Sequence, residues 1–325
     1  MSLVGALMVV LMSITLADNG PDRPTIPRRP LTTPVTSHVR IEDGVPRLVL
    51  NQSERVPFTG KQLYPSYSLY NGRESATWKA LLDEAADHGY LYVSPWLAWF
   101  LMDPHKDGPP ENATDWIDWA PLDAFMDYAA AKGLYVIPYF WTAYPPAWWH
   151  QTFGPEYVQT SDVGNPSMLD AAGMASFNAP PHVKCTGQVI AAMVARYARH
   201  PALLGWGLGF GSSNENNYPG GGLYEAGGWF DYSPFIRSEF RAWLRRQYGD
   251  ADALRTAWGD KSLAFDTVEP PKPLANSGTG VAAVNDAGDV RRAFYDWQCF
   301  RIEQKKLARD TFGQLFNLNS AVEHA

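Results

Sequence analysis

The sequence predicts an α/β fold of parallel strands, and three observations carry that prediction. A unit of amphipathic helix, glycine or turn, apolar strand and loop occurs three times between Ser75 and Phe210. Strands alternating with helices in this way form right-handed βαβ units and a parallel sheet. Loops are long after each strand and short before it, which puts the functional face at the strand C-termini. No G-x-G-x-x-G turn or phosphate loop follows any strand; the strand ends carry Trp96, Trp99, Tyr139, Trp141 and Glu215 instead. Such a lining suits a carbohydrate cleft better than a nucleotide crevice, because the apolar faces of sugars stack on aromatic rings.

In chain order, Met1 to Ala17 is an apolar, uncharged run ending in small residues. It reads as a secretory signal peptide, cut after Ala17, for a secreted or periplasmic protein. Residues 18–37 are rich in proline and read as an extended linker. His38 to Phe58 alternates like a small β-meander, with Asp43-Gly44 at a tight turn, so residues 38–60 stand ahead of the main fold at 61–325. Leu63 to Leu69 is the first candidate strand. The helix Ser75 to His88 follows, with Trp78, Leu81, Leu82 and Ala85 on one face and Gly89 as its stop. Tyr90 to Trp96 is the second strand, Asp118 to Lys132 the next helix, and Leu134 to Trp141 the third strand. The helix Val183 to Arg199 precedes the fourth strand, Leu203 to Phe210, whose glycines alternate with Trp206, Leu208 and Phe210. That pattern fits a strand covered on both faces. A long helix, Val290 to Phe316, points Phe294, Trp297, Phe300 and Leu307 at a core.

Composition narrows the function. The net charge of −7 argues against nucleic acid as a partner. Two cysteines, Cys185 and Cys299, cannot make a disulfide framework and read as free thiols. His88, His105, His150 and His182 have no ligand spacing, so neither metal nor cofactor is expected. With 13 tryptophans, aromatic residues are in excess; Trp96 and Trp141 are the candidate sugar contacts, with Tyr139 in the same wall.

Several stretches carry a family resemblance: TWKALLDEAADHG, WLAWFLMDP, WIDWAPLDAFMDYAAAKGLYVIP, PPAWW, RYARHPALLGW and FRAWLRRQYGDADALRTAWGD. Over Gln62 to Phe316 the chain resembles glycoside hydrolase family 42, the β-galactosidase-like (β/α)8 barrels of TIM type. The resemblance implies a retaining glycosidase acting on carbohydrate, with galactosides as the family-level substrate. It implies that Glu215 is general acid and then general base, and that Asn214 holds the sugar 2-hydroxyl. In the family three residues separate Gly-Trp from Asn-Glu; here Glu215 lies nine positions after Trp206, so Phe210 to Ser213 is read as an insertion. Some family members bind a metal through cysteines after the acid/base residue, but Asn216 to Tyr232 contains none, so no zinc is expected. Glu225 and Asp231 are the fallback acids in this stretch. Asp103 matches the acidic end of the second-strand loop and is read as structural. The sequence shows only the first four βα units, so the nucleophile, a glutamate after the seventh strand in the family, is expected beyond Ala325. The alternatives are a non-catalytic carbohydrate-binding protein and a half-barrel that pairs with a second copy or a partner chain.

Overall fold

The computed structural model describes residues 28–51, 54–56, 59–63, 69–70, 76–105, 113–166, 168–169, 172–209, 230–272 and 288–322. Strands β1 (Ser37–Glu42), β2 (Val45–Leu50) and β3 (Glu54–Val56) form an antiparallel sheet in chain order. Both residues of the first turn, Asp43 (φ 51°) and Gly44 (φ 77°), are left-handed. That two-residue geometry matches the strand twist and favours Asp-Gly.

The main sheet is parallel and sequential. Strand β4 (Gly60–Leu63) pairs with β5 (Tyr92–Ala98); β5 pairs with β6 (Tyr135–Val136) and β7 (Tyr139–Trp141); β7 pairs with β10 (Gly207–Gly209). Segments β6 and β7 are one strand interrupted at Ile137-Pro138. The ladder carries on through the break, with Ile137 N–H donating to Val93 O and Gly207 N–H to Pro138 O. Strand β4 reaches Leu63, where the expected first strand begins; residues 64–68 of that expected strand lie outside the described residues. Gly60 lies under the Tyr92 ring, which a Cβ at this position would meet at 2.0 Å. The fourth strand is shorter than expected, with a separate parallel bridge from Leu203 to Val136.

Helices α1 (Ala76–Asp87), α3 (Ala120–Ala131) and α5 (Pro180–Tyr197) precede the second, third and fourth strands of this sheet; a short turn, α2 (Trp99–Met102), follows β5. Gly89 and Gly133 close α1 and α3 in the left-handed conformation that stops a helix cheaply. Helix α5 starts ahead of the expected Val183 because Pro180 and Pro181 fit a first turn, where no amide partner is needed. Leu82, Leu97, Phe125, Phe140 and Ile190 are completely buried between sheet and helices.

After β7 the chain forms α4 (Ala147–Phe153) and a hairpin of β8 (Met168–Leu169) and β9 (Ala172–Gly173). After β10 come α6 (Pro234–Tyr248), α7 (Ala251–Trp258) and the long α8 (Gly288–Val322). Helices α6 to α8 hold a second core around Phe240, Trp243, Trp258, Trp297 and Phe300. Helix α8 joins both cores, since Ala308, Phe312 and Phe316 pack into the first. Steps of four residues along a 3.6-residue helix rotate the buried stripe by about 40° each. The stripe has therefore moved past Leu307, which is 51% exposed and not on the core side as expected.

The described end of the proline-rich segment is packed rather than extended away. Arg28 donates to the carbonyls of Ala86 (3.1 Å), Gly133 (2.9 Å) and Tyr90, at the C-terminal ends of α1 and α3. A cation suits those helix ends. No helix among the described residues is long and apolar enough to cross a membrane.

Candidate active site

Strand register sets which side chains converge. Trp96 pairs with Tyr139 and Ala98 with Trp141, while Tyr139 pairs with Gly207 and Trp141 with Gly209. Partners in a parallel ladder point to the same side, as do residues i and i+2. Trp96, Tyr139 and Trp141 therefore lie on one face, opposite the helix-facing Leu97 and Phe140. The rings of Trp96 and Trp141 are 4.5 Å apart, and Tyr144 packs on Trp141 at 4.6 Å. Both indoles are buried, at 7% and 1% exposure, while Tyr139 is half-buried. Gly207 and Gly209 are glycine because the Tyr139 ring lies over them; added Cβ atoms would meet it at 2.7 and 2.6 Å.

The exit of β10 leads toward Asn214 and Glu215, which lie outside the described residues, as does Glu225. That exit is gripped by Thr142, whose N–H (2.8 Å) and Oγ1 (3.2 Å) both reach Gly209 O. His182 Nε2–H donates in turn to Thr142 O at 2.7 Å. Burial pushes the His182 imidazole down to about 4 despite that bond, so the ring is neutral near pH 7. The sequence pointed to neither Thr142 nor His182 for this task. The only signal was that His182 stands directly ahead of the helix expected from Val183, which leads into a candidate site strand.

Two further ties fix the loops of this face. Asp103, after α2, accepts from Trp148 Nε1, His105 N–H and His105 Nδ1, all at 2.9 Å. It therefore has the structural role expected, joining the loops after β5 and β7. Asp231 is completely buried, with Oδ1 accepting from Thr160 N–H (3.2 Å) and Ser233 N–H (2.8 Å). Its Oδ2 has no hydrogen-bond partner among the described residues. Burial pushes this carboxyl up to about 6, against the hydrogen bonds that hold it down. A cavity of about 630 Å³ lies beside this tie, between α4 and the start of α6; Trp96, Tyr139 and Trp141 do not line it. Cys185 is buried, Cys299 half-buried, and both are free thiols.

Known proteins share this architecture. BgaA of Thermus sp, a β-galactosidase, is 26% identical over 185 residues, covering 57% of this chain and 26% of that protein. The solved β-galactosidase of Halorubrum lacusprofundi superposes with a TM-score of 0.58 at 21% identity, over 80% of this chain and 34% of that one. The catalytic domain of a Paenibacillus polymyxa β-amylase gives 0.61 at 17% identity, over 80% and 62%. These likenesses give the parallel α/β barrel fold, of which the four-stranded sheet here is a part. The chain spans about a quarter of the length of the β-galactosidases it matches in sequence. The family model of glycoside hydrolase family 42, described as β-galactosidase, matches residues 70–307, and the chain belongs to that family.

Proposed function

We propose that this protein is a secreted, retaining glycoside hydrolase acting on β-galactosides, with Glu215 as acid/base and Asn214 on the sugar 2-hydroxyl. The observation that carries the reading is the family match over residues 70–307, which takes in the stretch holding Asn214-Glu215. The sheet supports it, since its fourth parallel strand ends six sequence positions before Glu215, and barrel enzymes keep their chemistry past such strand ends.

A glycosidic oxygen leaves as a poor alkoxide unless it is protonated. Glu215 gives that proton, and the carboxylate so formed later takes a proton from the attacking water. A second carboxylate about 5–5.5 Å away takes the anomeric carbon, so that two inversions give net retention. We place that nucleophile beyond Ala325, in the second half of the barrel, and we place export after cleavage behind Ala17. We place Tyr139, which is half-buried, as the ring that the sugar meets, with the buried Trp96 and Trp141 packed beside it in the same wall.

The experiment uses the native secreted protein, whose intact mass is measured first. A mass well above 36.2 kDa agrees with a nucleophile carried further along the chain. Turnover of lactose by that protein should then fall by about 10²–10⁴ in Glu215→Gln, the range for general acid–base catalysis. Galactose binding should survive. Azide, a nucleophile that needs no base, should restore product formation from an aryl β-galactoside as the β-galactosyl azide. Unchanged turnover in Glu215→Gln would remove Glu215 from the mechanism. Sugar binding with no turnover in either form would leave a non-catalytic carbohydrate-binding protein.

A further inference from the structure

The cavity between α4 and the start of α6 is separate from the Trp96–Trp141 wall and has no part in the chemistry above. We propose that it is a second carbohydrate-binding site, taking a neutral mono- or disaccharide.

Its volume, about 630 Å³, falls among small-ligand pockets, which are mostly apolar with a few placed polar groups. Pro155, Pro166 and Pro234 supply stiff apolar wall. Gln151, Thr160 and Arg237 supply the polar groups. An amide and a guanidinium each present paired donors, which suit the vicinal hydroxyls of a sugar.

Charge selects against the other ligand classes. Arg237 gives its Nε–H to Tyr232 O at 3.0 Å, and its charge is answered by Glu269 at 3.4 Å. An anion therefore finds little uncompensated charge. Among the described residues no carboxylate lines the cavity, so they offer a cation no partner there. His150, also in the lining, accepts from Gly173 N–H at 3.0 Å, and burial pushes it down to about 4, so it is neutral.

The walls are set before a ligand arrives. Tyr232 N–H donates to Thr160 O at 2.7 Å and Thr160 N–H to Asp231 Oδ1 at 3.2 Å, which pins the loop after β7 to the segment leading into α6. Preformed walls lower the ordering cost of binding a weak, polar ligand.

The test is amide-resolved NMR on the protein in its native secreted form carrying Glu215→Gln, so that bound sugar is not consumed. Lactose and methyl β-galactoside are the probes. The amides of Gly154 and Gly164, both in the lining, should shift and saturate through the millimolar range. Gln151 is exposed, so Gln151→Ala leaves the fold intact; it should weaken that binding about 3- to 10-fold, the loss of one net hydrogen bond. Arg237→Ala should weaken it further. No shift at Gly154 and Gly164, or shifts that both variants leave unchanged, would overturn the site. Because hydrolysis is not read, failure of the glycosidase reading leaves this result standing, and the reverse also holds.

Discussion

Among the described carboxylates, Asp231 is the one whose environment is most at odds with its charge. It is fully buried and accepts two backbone N–H groups on one oxygen only, and burial pushes it up to about 6 from an ordinary value near 3.8. The sign follows from linkage. A carboxyl raised in the folded state favours folding while protonated, so its contribution is full below about pH 3.8 and lost as pH rises through about 6. Asn keeps the accepting oxygen and cannot ionise. Asp231→Asn should therefore stabilise the protein at pH 7 by roughly 2–3 kcal/mol and have little effect at pH 4. Urea unfolding at the two values checks this, and equal midpoint changes at both would refute it. In the sequence Asp231 was, with Glu225, a fallback acid of the stretch after the fourth strand, and nothing there marked it as buried. Only tertiary burial, which local pattern does not encode, singles it out.

At the scale of elements, the fourth strand depends on the third through one aromatic ring. Tyr139 lies across Gly209, and a Cβ there would come within 2.6–2.9 Å of Cε1, Cζ and the hydroxyl. Gly209→Ala should cost about 1–3 kcal/mol through overpacking. Tyr139→Ser should recover most of that loss, a coupling that a double-mutant cycle measures and that independent sites would not give. The ring atoms involved belong to a side chain, so the clash is removable by substitution and not locked into the backbone. Much of this architecture was legible in the sequence. Tyr139 and Trp141 stand two apart on one expected strand, and Gly89 and Gly133 marked the helix ends, because both signals are local. What failed was set by distant partners. The strand that starts at Gly60 packs that glycine under Tyr92, 32 positions away. Leu307 is exposed because α8 is long enough for its buried stripe to rotate away. The Thr142 grip on Gly209 joins residues 67 positions apart, and no spacing rule reaches that far.

At the scale of the whole molecule, three buried groups among the described residues, His150, His182 and Asp231, set how their part of the stability responds to mild acid. His150 and His182 are both pushed down to about 4 by burial, so in the folded state they stay neutral through the range where unfolded imidazoles, near 6.5, take up protons. Each loses stability as pH falls from about 6.5 to about 4. Asp231 works in the opposite direction over about 6 to 3.8. Near pH 5, unfolding takes up about two protons at the imidazoles and releases about one at Asp231. The net uptake of about one proton corresponds to a loss of about 1.4 kcal/mol per pH unit on acidification. His182→Gln should cancel that slope, since one imidazole and Asp231 then balance, whatever the mutation costs at pH 7. Asp231→Asn should steepen it toward about 2.7 kcal/mol per unit. Unfolding free energies measured every half unit between pH 4.5 and 6 decide the matter. Parallel curves for the three proteins would mean that these side chains reach water in the folded state. The ties they make, His182 on Thr142 and Asp231 on Thr160, would then be looser in solution than the packing of the two loops around the fourth strand requires.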